Sequence, residues 1–374
     1  MKICYFLNSI NYKGGIERVT IVKANYWAEK GHETYIVVTD HNVNIQLIEP
    51  LNDGVKLINL DINYYKDEHK FFLSKKKTLL HFKKIQRFVK TIKPDIIISV
   101  GQSEKYLLSL IKTSAIKIRE IHFLSTYRTL TYKKNKIAKL LNYIDYNLFI
   151  KGYDQYVLLT NEDYNDYYIG DKLKTTVISN PITITPLKTR LNTKNIICVC
   201  RLSNLQKNVN ELIDAFAVVS KKHPDWVLKI YGEGQDKNLL LEQIKNLDLK
   251  NVFIEGYTNN IPKALENADI FVSTSNFEGC PLAILEAMAC GLPIVSYQFP
   301  VGAKDILLGH NAGFLVPMHN FEILAKKICT LIENPYLLEE MSYNALKRAE
   351  DFSKDSIMTQ WMNLFLKLLD KKTY

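Results

Sequence analysis

Several features that assign proteins to large classes are absent from the sequence. None of its apolar runs approaches the ~20 residues that a membrane-spanning helix needs. It has no low-complexity tract and no short internal repeat, and its 47% hydrophobic residues exclude a disordered or collagen-like chain. What remains is a globular protein. Its 374 residues predict about two domains, because a single core seldom grows beyond ~250–300 residues.

The six cysteines lack the spacing of a disulfide framework or of a zinc site. Cys198 and Cys200 alternate with Val199 in an apolar stretch, which favours buried strand positions. The Asp-x-Asp motif, through which many enzymes hold a metal, is also missing. We therefore expect a reducing, cytoplasmic location and a protein without a metal or another cofactor.

The second half of the chain has no net charge, and the whole net charge of +10 lies in the first half, where basic residues outnumber acidic ones. Residues 1–185 contain 28 basic and 18 acidic residues, whereas residues 186–374 contain 21 of each. The window 66–139 is the most basic, with 19 basic against 5 acidic residues. An anionic partner is therefore expected at the first half alone.

A helix with one apolar and one basic face is predicted after Lys75, inside that window. Leu79, Phe82, Ile85 and Val89 recur at helical spacing and should face the core. The remaining surface carries Lys76, Lys83, Lys84, Arg87 and Lys90. Such a face is either an ordinary solvated surface or one that rests on anionic lipid headgroups. Nucleic acid is disfavoured, because no recognised nucleic-acid motif accompanies the charge.

Strands and helices alternate in both halves of the chain, which predicts an α/β protein with two doubly wound parallel sheets. The alternation stops at the segment bracketed by Pro181 and Pro186 and then restarts. We expect two tandem Rossmann-like domains, residues 1–183 and 184–354, facing a central cleft. Residues 355–374 should form a helix that crosses back to the first domain. Ligands of such sheets bind beyond the carboxyl ends of the strands, so motifs that follow strands are the candidates for a site.

Two strand-to-helix loops carry groups that suit phosphate. Gly14 and Gly15 follow the first strand and open a helix, whose free N–H groups and positive end attract anions. A plain turn explains this glycine pair equally well. Arg201 and Lys207 follow the strand that ends at Cys200. These two cations either clamp a diphosphate or are simple surface residues.

The most specific motif contains two glutamates separated by seven residues. Glu278 lies on a loop after the strand Ile270–Ser273, and Glu286 lies in the helix that follows. Both therefore can face the same edge of the sheet. Gly279 allows the backbone to approach a ligand closely. Glu286 is unusual because its neighbours are apolar, and a buried carboxylate without a partner is costly.

Together these motifs resemble the retaining glycosyltransferases of family 4, the glycosyl transferases group 1, which have the GT-B fold. The glutamate pair is followed by Ala-Met-Ala-Cys-Gly-Leu-Pro-Ile-Val-Ser, as in that family, and Arg201 with Lys207 is similar to its diphosphate-binding pair. Segments 231–234 and 311–316 also match in order. The resemblance covers nearly the whole chain, although the specific motifs lie in the second half. It implies an acceptor-binding first domain and a donor-binding second domain.

The resemblance also implies a role for each motif residue. Glu278 would hydrogen-bond hydroxyls of the donor sugar, and Glu286 would bind the ribose of the nucleotide. Arg201 and Lys207 would neutralise the diphosphate that leaves. His122, which follows a predicted strand, would hydrogen-bond the sugar as well. The further donor-binding positions are Gly14, Gly15, Gly232, Tyr257, Gly279, Cys280, Pro281 and Leu282.

The activity implied by the resemblance is retaining transfer of a hexose or N-acetylhexosamine from a nucleoside-diphosphate sugar, UDP-linked, to a glycan. The acceptor would be lipid-linked and part of a bacterial capsule, O-antigen or exopolysaccharide, and the basic half would rest on the inner membrane face. No metal is expected, because cations take its place. The alternatives are a sugar-nucleotide epimerase of the same fold and a noncatalytic nucleotide-sugar-binding subunit. The chain is too short for a phosphorylase.

Overall fold

The computed structural model describes residues 1–11, 14–41, 47–64, 75–101, 104–122, 150–166 and 174–373. The chain forms two compact units. The first unit comprises Met1–Leu159, Tyr167–Ile178 and Met358–Tyr374, and the second comprises Thr160–Asp166 and Ser179–Ile357. The sequence-based domain limits at residues 183 and 354 stay predictions beside this division.

Strands and helices alternate along both units. The strands are β1 (Lys2–Leu7), β2 (Glu33–Val38), β3 (Val55–Asn59), β4 (Ile96–Ser99), β5 (Ile116–Ile121), β6 (Gln155–Leu158), β7 (Thr175–Val177), β8 (Asn195–Val199), β9 (Val227–Tyr231), β10 (Val252–Gly256), β11 (Ile270–Ser273), β12 (Ile294–Tyr297) and β13 (Gly313–Val316). The described α-helices are α1 (Gly15–Glu29), α2 (Lys75–Ile92), α3 (Lys105–Leu110), α4 (Asn161–Asp166), α5 (Asn204–Lys207), α6 (Val209–Lys222), α7 (Lys237–Asn246), α8 (Ile261–Glu266), α9 (Leu282–Ala289), α10 (Ala303–Leu307), α11 (Phe321–Glu333), α12 (Pro335–Ala349) and α13 (Lys354–Thr373). Within these ranges no helix is both long and apolar enough to cross a bilayer.

Each unit is built on one parallel sheet. Among the described residues, the first unit has seven strands in the order β3-β2-β1-β4-β5-β6-β7 and the second has six in the order β10-β9-β8-β11-β12-β13. Every neighbouring pair is parallel. The predicted α/β fold with Rossmann-like units is therefore confirmed. Central strands such as β4 are buried along their whole length, which is why they read as continuous apolar runs in the sequence.

Helix α2 is rotated relative to the sequence prediction. Its buried positions include His81, Ile85 and Val89, whereas Leu79 is 55% exposed and Leu80 is 43% exposed. The prediction that Leu79 faces the core was wrong, because His81 takes the inward position. Its Nδ1 lies 3.3 Å from the Tyr64 hydroxyl. Burial lowers the pKa of His81 to about 4, so the buried ring is neutral at pH 7.

A short segment, Thr160–Asp166, lies between two segments of the first unit in the sequence but packs in the second unit. Helix α4 belongs to the second unit although its flanking residues belong to the first. The Glu162 carboxylate accepts the backbone N–H of Gly302 at 2.7 Å and that of Lys304 at 3.3 Å. The N–H of Glu162 in turn donates to the Asp305 carboxylate at 2.9 Å. Glu162 therefore satisfies N–H groups that helix α10 leaves free at its start.

Candidate active site

The second unit has a crevice where its strand order reverses. From β8 the chain continues to β9 and β10 on one side, and it returns to β11 on the other side of β8. Strands whose connections leave in opposite directions open a crevice at their carboxyl ends, where open α/β sheets bind ligands. A pocket lies at these strand ends, and its lining includes Cys198, Cys200, Lys207, Ser273, Glu278 and Pro281.

Lys207 and Glu278 form an ion pair in this pocket. Lys207 Nζ donates to Glu278 Oε1, and the same oxygen accepts the hydroxyl of Ser275 at 2.7 Å. Because Glu278 is only 8% exposed, its carboxylate depends on these donors in place of water. Burial by itself lowers the pKa of Lys207, but the Glu278 carboxylate outweighs burial and raises that pKa above its ordinary value. Lys207 therefore carries a positive charge at neutral pH.

A single helical turn carries Lys207 into the pocket. Helix α5 ends at Lys207, and Asn208 follows with a φ of 51°, a left-handed conformation that asparagine tolerates. The start of the turn is fixed because the Asn204 N–H donates to the Asp236 carboxylate at 2.6 Å. The side chain of Arg201, before the turn, is exposed and forms no hydrogen bond or ion pair within the described residues. Its guanidinium is therefore available to a ligand.

The segment from Gly279 to Leu282 leads from the pocket into helix α9. The first N–H groups of a helix have no acceptor inside it, so those of Leu282 and Ala283 can meet an anion, whereas the N–H of Ile284 already donates to the Pro281 carbonyl at 3.2 Å. Two contacts hold Cys280 in place. Its Sγ lies 3.2 Å from the Ser179 hydroxyl, and its carbonyl accepts the Asn180 amide at 3.2 Å. These contacts fix the backbone of the loop that carries Glu278.

Glu286 lies on α9 and is 1% exposed. Its Oε1 accepts the Thr183 hydroxyl at 2.6 Å, so the buried carboxylate has a donor from the segment between Pro181 and Pro186, where the alternation of strands and helices stops. Glu286 is not part of the pocket lining that contains Glu278. The structure thus brings Glu278 and Lys207 together and holds Glu286 separately, bonded to Thr183.

Gly232 and Tyr257 follow β9 and β10, at the same edge of the sheet as the pocket. Gly232 has a φ of 150°, and a Cβ there would collide with the carbonyl oxygen of Cys200. Close contact between two backbones therefore requires glycine at this position. Tyr257 is exposed at the end of its strand. Both residues lie where a ligand of the sheet would be within reach.

The other predicted site residues lie in the first unit. Gly14 precedes α1, which begins at Gly15, and the Gly14 carbonyl accepts the N–H of Arg18 at 3.3 Å. His122 follows β5, and its Nε2 lies 3.1 Å from Glu120 Oε1. Both positions are at the carboxyl ends of strands in the first sheet.

Sequence reasoning missed the partners that hold these groups. Ser275, Thr183 and Glu120 bond to or face predicted site residues, but none belongs to a recognised motif. The available signal was position. Ser275 follows strand β11, and Glu120 lies two residues before His122, so both are near the strand ends where ligands bind. Thr183 gave no such signal, because its contact with Glu286 spans 103 residues of sequence.

Two solved glycosyltransferase structures resemble this fold over nearly the whole chain. A variant of TarM from Staphylococcus aureus, in complex with Fondaparinux, alpha-GlcNAc-glycerol and UDP, matches with a TM-score of 0.79 at 19% identity, over 97% of this chain and 99% of that one. HepE of Anabaena in complex with UDP matches with a TM-score of 0.77 at 19% identity, over 98% of this chain and 100% of HepE. These likenesses define the class of fold as that of the GT-B glycosyltransferases.

Sequence comparison then identifies the family. The profile of the glycosyl transferases group 1 matches residues 183–348. An uncharacterized glycosyltransferase of Haemophilus influenzae is 30% identical over 370 residues, which is 97% of this chain and 99% of the relative. An alpha-1,4-N-acetyl-D-galactosaminyltransferase of Campylobacter jejuni, named for a PP-undecaprenol substrate, is 24% identical over 97% of this chain and 98% of its own length. The chain therefore belongs to the glycosyl transferases group 1 family, and the predicted enzyme class, glycosyltransferase, is confirmed.

Proposed function

We propose that this glycosyltransferase is a retaining enzyme of family 4 that transfers a hexose or N-acetylhexosamine from a UDP-sugar to a glycan of a bacterial polysaccharide. The partly buried Lys207–Glu278 pair at the reversal of the second sheet carries the proposal. It sets a cation and a carboxylate side by side in the crevice where this class of sheet binds its ligand. The names of similar proteins support UDP as the nucleotide, since TarM and HepE were each solved with UDP.

The proposed chemistry follows from the charges that develop during sugar transfer. Cleavage of the sugar–phosphate bond builds negative charge on the diphosphate and positive charge on the sugar ring. Lys207, Arg201 and the first N–H groups of α9 oppose the negative charge, and Glu278 positions the sugar. Retention follows a front-face route in which the leaving phosphate accepts the proton of the acceptor. Two cations do what a divalent metal does elsewhere, so turnover should continue in the presence of EDTA.

The proposed acceptor is a lipid-linked glycan of a capsule, O-antigen or exopolysaccharide. Two similar proteins support it by their names. The Campylobacter jejuni relative is named for a PP-undecaprenol substrate, and a Staphylococcus aureus relative, 33% identical over half of this chain, is a poly(ribitol-phosphate) alpha-N-acetylglucosaminyltransferase. Both names describe polymeric or lipid-linked acceptors.

Donor binding tests the proposed site. A thermal-shift panel of nucleoside-diphosphate sugars should raise the melting temperature with UDP-sugars, and the best donor then enters turnover assays. Arg201→Ala and Glu286→Gln should each weaken donor affinity about tenfold or more, because each removes a charged partner of the nucleotide. Arg190→Ala is the matched control, since this exposed arginine pairs with Glu266 instead.

Wild-type donor affinity in both Arg201→Ala and Glu286→Gln would contradict the assignment of these two residues. Product analysis separates the alternative activities. An epimerase would convert the nucleotide sugar without an acceptor, and a binding subunit would retain it unchanged. Either result would replace the proposed transfer.

We also propose that helix α2 rests on an anionic membrane surface. One stripe of the helix is exposed and holds Lys76, Leu79, Leu80, Lys83, Arg87 and Lys90. Two exposed leucines among four cations form the pattern of an interfacial helix, in which apolar side chains enter the headgroup region and cations meet lipid phosphates. Lys84 does not contribute, because its ammonium donates to the carbonyl of Leu60 at 2.5 Å.

Vesicle sedimentation tests the membrane surface. Replacing Lys76, Lys83, Arg87 and Lys90 by serine should reduce binding to phosphatidylglycerol vesicles roughly 1000-fold, since each cation near such a surface contributes about 1 kcal/mol. The matched control replaces four exposed lysines of the second unit by serine, namely Lys221, Lys222, Lys245 and Lys250. Equal loss in both quadruple variants, or no preference of the wild type for anionic vesicles, would refute this surface.

A further inference from the structure

Three side chains of the types that bind metal ions meet where helices α6 and α11 of the second unit pack together. They are His223, which directly follows α6, and Cys329 and Glu333, which both lie on α11. The donor atoms of the three residues all lie within 4.8 Å of one another. Because all three belong to the second unit, the group is complete within that unit.

The packing of the two helices places the three donor atoms. Cys329 and Glu333 are four residues apart, so their side chains lie on the same face of α11. The backbone N–H of His223 donates to the Val219 carbonyl at 2.9 Å, which keeps His223 attached to the end of α6. The helices share an apolar core that includes Val219 and Ile328. The three side chains are therefore brought together by a contact that the fold already makes.

The group extends from the core to the surface. Cys329 is 4% exposed, whereas the side chains of His223 and Glu333 are 18% and 58% exposed. An ion can therefore enter from the side of Glu333 and reach the thiol between the helices. A water molecule on the exposed side completes a fourth position.

The three donors suit zinc rather than magnesium or calcium. Zinc binds cysteine sulfur, histidine nitrogen and carboxylate oxygen at about 2.0–2.3 Å with tetrahedral geometry, whereas the two harder ions prefer oxygen ligands alone. A nitrogen and an oxygen on one tetrahedral zinc ion are then about 3.3 Å apart. His223 Nε2 lies 3.1 Å from Glu333 Oε1, which is close to that spacing.

The charges of the group also match a divalent cation. Cys329 releases its proton to solvent when its sulfur binds the ion, and the resulting thiolate and the Glu333 carboxylate balance the two positive charges. The neutral imidazole of His223 supplies the third ligand. The sequence gives no sign of this set, because His223 and Glu333 are 110 residues apart and the cysteines alone lack zinc spacing.

We propose that His223, Cys329 and Glu333 bind a zinc ion that holds α6 against α11 as a structural site of the second unit. Helix α6 has 14 residues, so His223 lies about 20 Å from Val209, which is two residues after Lys207. The ion is too remote for the chemistry of sugar transfer, and the proposal is independent of the proposed function. EDTA should therefore lower the melting temperature of the zinc-loaded protein without stopping turnover.

Cobalt(II) and zinc are the probes of this site. The full chain, freed of metal by dialysis against EDTA, should bind one equivalent of Co²⁺ and show the near-ultraviolet band of sulfur-to-cobalt charge transfer, which added Zn²⁺ abolishes. Zn²⁺ at a hundredfold excess over its dissociation constant should raise the melting temperature of the second unit by about 5–10 °C. Mg²⁺ at the same concentration should leave it unchanged.

Three variants locate the ion. Cys329→Ser should abolish the cobalt band and weaken zinc binding at least about tenfold, since loss of a residue that only orients a ligand already costs about 10–100-fold. His223→Gln and Glu333→Gln, at partly exposed positions, should weaken zinc binding as well. Cys4→Ser is the matched control, because it removes a buried thiol of the first unit and should leave zinc binding unchanged.

A wild type without the cobalt band, or without a rise in melting temperature with Zn²⁺, would overturn the site. Zinc affinity equal to that of the wild type in the three variants would also overturn it, because the ion would then bind elsewhere. If Cys329→Ser does not fold, the two glutamine variants decide the question by the same measurements.

Discussion

Replacement of Lys23 by methionine alone should lower the free energy of unfolding by about 3–5 kcal/mol, because it leaves the buried Glu120 carboxylate without its cation. Lys23 and Glu120 are both almost fully buried, and their contact joins α1 to β5. The lost attraction exceeds what the added methionine packing returns. Denaturant unfolding, followed through the transition of the first unit, measures the effect.

Two control variants and the pH dependence of stability test this expected loss of stability. Lys23→Met with Glu120→Leu should recover most of the loss, since neither charge remains. Lys56→Met breaks the exposed pair with Glu33 and should change stability by less than about 1 kcal/mol. The pKa of Glu120 is lowered in the folded protein, from 4.5 to about 2. Its stabilising contribution is therefore complete above pH 4.5 and is lost as the pH falls towards 2.

The free energy of unfolding of the wild type should therefore fall as the pH is lowered from 4.5 towards 2. The corresponding fall in Lys23→Met should be much smaller. Equal stability of Lys23→Met and the wild type at pH 7 would mean that the Glu120 charge is compensated by another group. Equal acid sensitivity of the two proteins would lead to the same conclusion.

Replacement of Lys207 by methionine should reduce kcat/KM by about 10²–10³-fold, the usual effect of removing one donor that stabilises charge in a transition state. The ammonium is already held in the pocket by Glu278, so no reorganisation precedes the departure of the diphosphate. Steady-state turnover with the donor from the thermal-shift panel measures the loss.

The difficulty is to separate catalysis from stability, because Lys207→Met also leaves Glu278 unpaired. Lys207→Met with Glu278→Gln removes both charges and should restore the melting temperature without restoring turnover. Lys194→Met, which breaks an exposed pair with Asp225 in the same unit, should leave both unchanged. If turnover returned together with stability in the neutral double variant, Lys207 would be a structural residue only.

The alternation of strands and helices could be predicted because burial on both faces gives parallel strands a continuous apolar composition. Helix α5 could not be predicted from the sequence, because four residues are too few to show a helical periodicity. Its end also depends on the left-handed conformation of Asn208. The inward position of α2 that the apolar pattern assigns to Leu79 is not apolar by residue type: it is taken by His81, whose ring is neutral and buried against Tyr64.

The candidate site, too, could be predicted from the sequence only in part. Glu278 and Lys207 could be found from their motifs, because their residue types and spacing are local in each loop. Their direct pairing spans 71 residues, and that of Lys23 with Glu120 spans 97. Sequence periodicity carries no information at such separations, so only the folded chain shows which charges neutralise each other.

The insertion at Thr160–Asp166 limits how this enzyme can be recombined with its relatives. A chimera that imports only residues 179–357 as a donor module would leave out Glu162, which satisfies the N–H groups of Gly302 and Lys304. Helix α10 would then begin with unpaired donors beside an empty surface. Swaps between glycosyltransferases should therefore transfer residues 160–166 with the module, so that the exchanged unit is discontinuous in sequence but complete in its hydrogen bonds.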